Sequence, residues 1–572
     1  MKGRGPLRLL PIIAVAVSES AATATVRGEG VEYLGIENAT SGINTFFGIK
    51  YAEAPVGPYR WRPPVPVDYS QSSETTYINA TIPGDGCLQS VPPWSSGFTL
   101  LPGLVQGYSE DCLLLNVQVP TNPKSSKLAV LVNIHGGGYI AGTARDAPGD
   151  SLVYHANGSL IYVAVQYRLG SWGFLAGDEI KEDGTANAGL LDQRAALEWV
   201  QRNIHYFGGD PEKVTITGGS AGGGSVAMHM VMNGGDWNPP FRAALPGRQA
   251  DYAWMTPMFD DQWQNIQYSY FLKGADCCDV ACLRGRTTNE LLNAEAFAYF
   301  AGYGSRQFGY GDFYWGPVID GHIIRGHPFS EFRKGHFTKV PTLVTRNGYE
   351  GIMFTNQSIV TAEDSTNMLK TLWQDGDGTY VDIVRKLYSS DEYNSTLRYG
   401  LNIVADSGGP ASSAYNFPDE FMRTQAVFGD ALINCATTLL ANAVATDGVA
   451  SFKLVFNAGY QLHGATGPFV FNKDINPDGS LDIGFGYPIG GNTTLAGYMR
   501  DWYVSFVLNL EPNGYTYGLS PAPHWPRYGS GGHEVMYVEK NAISAINDPE
   551  KSCQCKFLEM GRGNGYQIWP QW

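Results

Sequence analysis

The sequence predicts an α/β fold with a large, mostly parallel central sheet flanked by helices. Three runs with little or no charge, at 128–134, 161–167 and 213–217, are rich in β-branched residues. Such runs are typical of parallel strands that are buried on both faces. Apolar residues recur with helical spacing over 188–203, between the second and third runs. Because strands alternate with a helix in this way, we expect a parallel sheet covered on both sides.

The third run ends in a Gly-x-Ser-x-Gly turn around Ser220, and small residues after it predict a helix. The residues beside the serine must be small, and the tight turn lifts the Ser220 hydroxyl above the sheet edge. The new helix directs its free N–H groups and its positive dipole end to the same place. With 70 glycines in 572 residues, a chance glycine-rich turn is the alternative. The strand before the turn and the helix after it favour a nucleophile.

Three glycines at 136–138 directly follow the first run. They allow the backbone to approach a substrate with its N–H groups exposed, as an oxyanion hole requires. The alternatives are a phosphate-binding turn and a purely structural turn. The Gly-Lys-Ser/Thr ending of a phosphate loop is missing from the sequence. Together with Ser220, the glycines therefore favour an oxyanion hole.

Composition limits the classes of partner and the number of domains. The net charge of −15 argues against nucleic acid and against an anionic membrane surface as partners. The 43% content of hydrophobic residues is typical of a globular protein. We find no internal repeat, low-complexity segment or clear linker, so residues 25–572 are predicted to form one large domain.

Residues 1–24 are predicted to be a secretory signal peptide. Lys2, Arg4 and Arg8 precede the short apolar run 9–17, and small residues follow. The alternative is the frayed apolar start of a cytosolic protein. No later stretch has eighteen uninterrupted apolar residues, so no transmembrane helix is expected. We therefore expect a secreted, extracellular protein.

Cysteines and glycosylation sequons agree with export through an oxidising compartment. The chain has eight cysteines, an even number, which suits disulfide formation. Sequons for N-glycosylation occur at Asn38, Asn79, Asn157, Asn356, Asn394 and Asn492.

The segment 207–222, which ends in Gly-Gly-Ser-Ala-Gly, resembles the serine signature of the type-B carboxylesterase, cholinesterase and lipase family. Residues 110–113 resemble its second signature, although Leu114 and Gln118 depart from it. Further matching motifs lie at 167–170, 173–175, 192–193 and 317–321. The resemblance covers roughly residues 26 to 540 and is to secreted fungal members. It implies an α/β-hydrolase fold, hydrolysis of carboxylic esters, and neither a cofactor nor a metal.

The resemblance also implies the partners of the serine. Glu350 follows an apolar run at 340–344 and resembles the catalytic glutamate, although alone it would be read as a solvated loop charge. In this fold the order is serine, acid, histidine, and three histidines follow Glu350. His463 lies after the strand-like run 452–456 and resembles the family's His-Gly motif. His524 and His533 are interpreted as surface histidines.

The implied reaction is acyl transfer through a Ser-His-Glu triad and an acyl-enzyme intermediate. The oxyanion would be held by the N–H groups of Gly137, Gly138 and Ala221. The alternatives are a lipase acting on long-chain acylglycerols and a non-catalytic, cholinesterase-like binding protein. Acyl-chain preference and oligomeric state are not predicted by the sequence.

The same resemblance implies a disulfide between Cys87 and Cys112. The enclosed loop is apolar and is interpreted as a lid or a wall of the substrate entrance, with a self-packed surface loop as the alternative. Cys282 is expected to pair with Cys277 or Cys278, and the other pairings stay open.

The chain departs from the family pattern at several positions. Gly219 and Thr466 stand where many members have acidic residues, and the choline-binding tryptophan has no clear counterpart, so a choline ester is not implied. Residues 245–252 stand where an apolar strand should follow the serine helix. Their polar composition does not predict that strand; an insertion or a sequence error would account for it.

Overall fold

A computed structural model describes most of the chain. The described residues are 23–71, 73–94, 107–251, 261–305, 309–373, 378–389, 417–458, 461–471, 493–518, 520–529, 531–539, 542–550 and 553–563. Residues 1–22 of the predicted signal peptide 1–24, the sequons at Asn394 and Asn492, and residues 95–106 of the 87–112 loop lie outside them.

The strands are named β1 to β15 in chain order. Their bounds are β1 Thr23–Gly28, β2 Val31–Asn38, β3 Ile43–Lys50, β4 Thr76–Asn79, β5 Gly86–Cys87, β6 Tyr108–Ser109, β7 Leu114–Pro120, β8 Leu128–Ile134, β9 Leu160–Val165, β10 Gly209–Ser220, β11 Ala243–Asp251, β12 Thr342–Asn347, β13 Ser451–Asn457, β14 Glu534–Glu539 and β15 Ile543–Asn547.

A 13-stranded sheet is the centre of the molecule. Its strands lie in the order β1-β2-β3-β7-β9-β8-β10-β11-β12-β13-β14-β15, with β4 paired to β2. From β9 to β14 every neighbouring pair is parallel. The two ends of the sheet, β1-β2-β3-β7-β9 and β14-β15, are antiparallel. The predicted parallel sheet is therefore confirmed, with antiparallel pairs at both edges.

Helices flank the sheet, and the serine helix Ala221–Val231 packs against β8, β10 and β11. The α-helices are Asp150–His155, Gly170–Phe174, Asp178–Asp183, Ala188–Asn203, Ala221–Val231, Asp261–Gly274, Val280–Gly285, Thr288–Gly304, Pro328–Arg333, Ala362–Trp373, Thr379–Leu387, Asp419–Gly429, Cys435–Thr446, Gly467–Phe471, Thr493–Asn509 and Cys553–Gly563. The helix predicted at 188–203 has the expected bounds.

The sheet continues through residues 245–251, contrary to the sequence prediction. Ala243–Asp251 forms β11, which runs parallel to β10. Its first three residues are small or apolar and fully buried, as a central strand requires. The register shifts between Gly218, opposite Pro246, and Ser220, opposite Asp251. This irregularity accommodates the extra polar residues without interrupting the sheet.

The part of the chain that the structure describes contains one helical segment long and apolar enough to cross a membrane. It is Asp419–Thr446, 28 residues, and 89% of its apolar window is buried inside the protein. A single π-helical turn, Asp430–Asn434, interrupts it. Such burial is typical of the core helix of a globular domain.

Three disulfides are formed, and they span 5, 25 and 120 residues of the chain. The bonds are Cys87–Cys112, Cys277–Cys282 and Cys435–Cys555, and Cys278 and Cys553 are free and exposed. The structure thus contains the disulfide implied by the resemblance and pairs Cys282 with Cys277 rather than Cys278.

Candidate active site

Ser220 lies at the end of β10, where the strand turns directly into the serine helix, Ala221–Val231. Its backbone has φ 57° and ψ −129°, a conformation that non-glycine residues rarely adopt. Strain of this kind persists only where the surrounding structure imposes it, and it is concentrated at functional sites. Ser220 is partly exposed, in contrast to the fully buried helix that follows it.

The glycines on either side of Ser220 are required by close packing. A Cβ on Gly218 would lie 2.3 Å from the carbonyl carbon of Gly222. A Cβ on Gly222 would lie 2.1 Å from the carbonyl oxygen of Ile134, the last residue of β8. Both distances are too short for any side chain. The sequence prediction that these residues must be small therefore has a direct geometric cause.

The glycine-rich segment after β8 lies against the serine turn. A Cβ on Gly136 would be 2.9 Å from the Cβ of Ser220. Gly137 and Gly138 have φ values of 107° and 64°, which favour glycine. The backbone N–H of Ala221 is one of the first four in its helix, which have no partner within the helix. The three predicted oxyanion donors therefore come from two segments that meet at Ser220.

Glu350 and His463 are brought together by a single backbone bridge. Tyr349 pairs in parallel with Leu462, and the Tyr349 N–H donates to the carbonyl oxygen of Gln461 at 2.8 Å. The next residue on each segment is then Glu350 or His463. Their side chains form a hydrogen bond of 2.8 Å between Glu350 Oε2 and His463 Nδ1. Because Glu350 is 1% exposed, its carboxylate depends on partners inside the protein.

Asn347 supports this pair and was not recognised as a site residue from the sequence. Its backbone N–H and its side-chain Nδ2 donate to Glu350 Oε1 at 2.5 and 2.9 Å. Its Oδ1 accepts from the Thr466 N–H at 3.2 Å. Asn347 thus links the end of β12 to the segment that carries His463. Its place at the end of an apolar run, three residues before Glu350, was the available signal.

Aromatic side chains connect His463 with the glycine-rich segment. The Phe354 ring meets the His463 ring edge to face at 4.9 Å, and Phe313 meets Phe354 at 5.8 Å. A Cβ on Gly138 would lie 2.2 Å from the Phe313 ring. Trp94 also contacts Phe313, with ring centroids 5.4 Å apart. These four rings form an aromatic wall beside the site, contributed by segments far apart in sequence.

On its other side Glu350 borders a polar cavity of about 320 Å³. Arg346, buried at this cavity, donates Nη1 to the carbonyl oxygen of Asn347 at 2.9 Å and pairs with Glu550. Polar groups therefore surround the carboxylate on both sides.

Several matching motifs have structural rather than chemical roles. Arg168 forms a buried double hydrogen bond with Asp192, with both distances at 2.7 Å. Asn187 and Asp320 are joined at 2.8 Å and hold the 317–321 motif against the helix that begins at Ala188. Two-point contacts of this kind fix the relative positions of segments.

The described sequons are all accessible to some degree. Asn38, Asn79 and Asn157 are exposed, and Asn356 is partly exposed.

His533 contacts Asn442, at 3.0 Å, rather than Glu350. Within the ranges described above, no group of three or more His, Cys, Asp and Glu side chains is arranged to hold a metal.

His229, on the serine helix, makes the fold sensitive to acid. It is fully buried, and burial, followed by the charge of Arg194, lowers its pKa from 6.5 to about 3. The unfolded chain therefore binds a proton at a higher pH than the folded chain does. This contribution to stability is complete above pH 6.5 and declines as the pH falls, by up to about 1.4 kcal/mol per pH unit.

We expect His229→Gln to flatten the dependence of unfolding free energy on pH between 6.5 and 4.5. Glutamine keeps a donor for Gln193 Oε1, which lies 3.1 Å from His229 Nε2. Denaturant unfolding at a series of pH values measures this dependence. The matched control is His205→Gln at an exposed histidine, which should leave the slope unchanged. Equal slopes in wild type and His229→Gln would contradict the assignment.

Comparisons with known proteins agree with this geometry. A model of the carboxylesterase family matches residues 16–558. A secreted triacylglycerol lipase of Gibberella zeae is 30% identical over 96% of this chain and 92% of its own length. Secreted lipase 1 of Botryotinia fuckeliana is 31% identical over 95% and 94% of the two chains. The solved structure of Aspergillus niger EstA is 26% identical, with a TM-score of 0.74 over 94% of this chain and 98% of that one.

The family match spans nearly the whole chain, and the parallel sheet with a serine at the β10 turn is the architecture expected for it. The chain therefore belongs to the carboxylesterase family and is a carboxylic ester hydrolase.

Proposed function

We propose that this protein is a secreted serine esterase in which Ser220 is the nucleophile, His463 the general base and Glu350 the acid that orients it. The observation that carries the proposal is the 2.8 Å hydrogen bond between the buried Glu350 and His463. A second support is the strained backbone of Ser220 at the strand–helix turn. A base held by a third group is what activation of a serine requires.

In the proposed reaction, the Ser220 hydroxyl oxygen attacks the ester carbonyl carbon as His463 Nε2 takes its proton. The bond between Glu350 and Nδ1 leaves Nε2 as the nitrogen available for this step. Glu350 stabilises the resulting imidazolium. His463 then protonates the departing alcohol, and the C–O bond to it breaks. A water molecule repeats the sequence on the acyl-enzyme and releases the carboxylic acid.

The negative oxygen of each tetrahedral intermediate would be held by the N–H groups of Gly137, Gly138 and Ala221. Support comes from the contact of Gly136 with Ser220 and from the position of Ala221 at the helix start. Loss of one such donor typically lowers turnover by about 10²–10³-fold.

Extracellular location and a single domain at 25–572 belong to the same proposal. Three disulfides favour an oxidising compartment, and two relatives carry the word secreted in their names. The sheet runs without a break from β1 to β15, as one domain requires. Asn38, Asn79, Asn157 and Asn356 are the proposed glycosylation sites among the described residues.

Hydrolysis of long-chain acylglycerols is the second candidate for the substrate. It is favoured by the relative named as a triacylglycerol lipase and by the aromatic wall, Trp94, Phe313, Phe354 and the His463 ring. Aromatic side chains beside the reacting centre suit an apolar acyl group.

A fluorophosphonate probe tests the proposed chemistry directly. We expect one equivalent of probe to react and tandem mass spectrometry to place it on Ser220. Ser225, five residues further on the same helix, is the internal control and should stay unmodified because it is buried and bonded to Ala221. Rates on p-nitrophenyl esters from acetate to palmitate then separate esterase from lipase. Full turnover by protein that the probe does not modify would contradict the serine mechanism.

A further inference from the structure

We propose that Glu295 is a positioning residue for the oxyanion hole: through Ser90 and Ser171 it holds the loop 136–142 against the serine turn. The inference rests on the oxyanion role proposed above for Gly137 and Gly138. Glu295 lies on the helix Thr288–Gly304 and is 2% exposed. No step of the reaction uses this carboxyl.

The loop 136–142 needs external support because of its sequence. Three consecutive glycines have a large conformational freedom in the unfolded chain, which folding must remove. Gly137, Gly138 and the following Tyr139 all have positive φ values. Glycine has no strong preference for this conformation and tyrosine disfavours it, so the residues themselves do not determine the backbone conformation here. Inside the loop, the Ile140 and Ala141 N–H groups donate to the Gly137 carbonyl oxygen and close a turn. The position of this turn against Ser220 depends on contacts with neighbouring segments.

Two short segments provide these contacts. The Ser90 N–H donates to the Ile140 carbonyl oxygen at 2.8 Å, and the Gly170 N–H donates to the Tyr139 carbonyl oxygen at 2.8 Å. Gln89 adds a double contact with Gly142, whose N–H donates to Gln89 Oε1 at 2.6 Å. Gln89 and Ser90, which lie just after Cys87 in the disulfide segment 87–112, therefore hold the far end of the loop 136–142.

Glu295 joins the two supporting segments. Its Oε1 accepts from the Ser171 N–H at 2.7 Å. The Ser90 hydroxyl lies beside the same carboxyl and favours its charged form. Ser90 Oγ lies 3.0 Å from the hydroxyl of the buried Tyr299, on the same helix as Glu295. At Gly170 the packing is so close that a Cβ would lie 2.5 Å from Glu295 Oε1 and 2.6 Å from Ser90 Oγ. The cluster is thus closely packed. Glu295 reaches the loop 136–142 only indirectly, through Ser90 and through Ser171 with its neighbour Gly170.

The protonation state of Glu295 suggests a faithful replacement. Burial raises the pKa of its carboxyl to about 7, against the effect of hydrogen bonds from Ser171 and Ser90. The titratable groups that face it are Tyr299 and Tyr314. Because burial favours the neutral form of the carboxyl, a neutral glutamine can reproduce its shape. Glutamine also keeps an acceptor oxygen for the Ser171 N–H and a polar group beside Ser90.

The test compares Glu295→Ala, Glu295→Gln and the matched control Glu331→Ala. Glu331 is also a buried glutamate on a helix, but its partners are Lys334 and His336. For Glu295→Ala we expect kcat on p-nitrophenyl butyrate to fall about 10–100-fold, with KM within about twofold of the wild-type value. This fall in kcat is no larger than the fall expected when one oxyanion donor is lost. The inhibition constant of phenylboronic acid, which forms a tetrahedral adduct, should rise in parallel. Glu295→Gln should recover most of the loss, and Glu331→Ala should keep wild-type kcat.

Unchanged kcat in Glu295→Ala, or a loss no larger than that of Glu331→Ala, would overturn the inference. An unchanged phenylboronic acid constant beside a lowered kcat would do so as well. If Glu295→Ala does not fold, Ser90→Ala removes one bond of the cluster and keeps the Ser90 N–H; a several-fold fall in kcat supports the inference and none overturns it. Failure of the proposed function would be recognised by a separate result, because ester turnover would then survive Ser220→Ala.

Discussion

Replacing Ser220 by alanine should lower kcat for ester hydrolysis by about 10⁴–10⁶-fold, and replacing His463 by alanine should do nearly the same. The nucleophile and its base act in one step, so the double variant should be no slower than the slower single variant. This absence of additivity distinguishes a cooperating pair from two residues that each help the fold. Steady-state kinetics on p-nitrophenyl butyrate, with burst titration to count active sites, measures the effect.

Glu350→Gln is the informative companion variant. It keeps the size of the side chain and a hydrogen bond to Asn347, but it removes the charge that would stabilise the His463 imidazolium. Its kcat should fall by less than that of Ser220→Ala. Thermal unfolding of Ser220→Ala should stay close to wild type, because Ser220 is partly exposed. Turnover by Ser220→Ala within tenfold of wild type would exclude the proposed nucleophile.

Local chemistry explains why much of the site could be predicted from the sequence. The turn at Ser220 leaves no room for side chains at Gly218 and Gly222, so its residues are dictated by short-range contacts. The glycines at 136–138 adopt backbone angles that other residues avoid. An uncharged apolar run is typical of a buried parallel strand, so β8 was predictable in position and type. The helix at 188–203 was predictable from the helical spacing of its apolar residues.

Long-range contacts explain what the sequence did not predict. Glu295 acts across 124 residues on Ser171, and no local pattern marks such a partner. The link that Asn347 makes to the segment of His463 likewise depends on a distant partner, the Thr466 N–H, 119 residues away. At β11 the polar residues misled the prediction, because a shift in register lets a central strand tolerate them. In each case the decisive information is which segments the fold brings together.

Lys453 presents the same conflict between local pattern and fold, and its replacement should have the largest effect on stability. It lies within β13 and is fully buried, in a run that otherwise reads as an apolar strand. Its Nζ contacts Asp548 Oδ1 at 2.8 Å and Glu550 Oε2 at 2.6 Å, and Thr438 Oγ1 at 2.6 Å. Lys453 thus neutralises two carboxylates inside the protein and ties β13 to the segment after β15.

We expect Lys453→Met to lower the free energy of unfolding by about 3–5 kcal/mol, because it leaves buried negative charge without its partner. Burial raises the pKa of Asp548 and Lys453 lowers it, with a net lowering. Loss of the lysine therefore leaves only the unfavourable effect of burial at neutral pH. Adding Asp548→Asn to Lys453→Met should recover part of the loss, since Glu550 keeps Arg346 as a partner. Guanidinium unfolding at pH 7 measures all three proteins.

The matched control is Lys50→Met, at a lysine paired with Asp111 at the same short range of 2.7 Å. The side chains of that pair are 39% and 44% exposed, so water already solvates both charges. Its loss should cost only about 0–1 kcal/mol. Equal effects of the two replacements would mean that solvent reaches Lys453 as well, and that the buried network does not stabilise this end of the sheet. A large difference would show that burial, rather than the short N–O distance, determines what an ion pair contributes here.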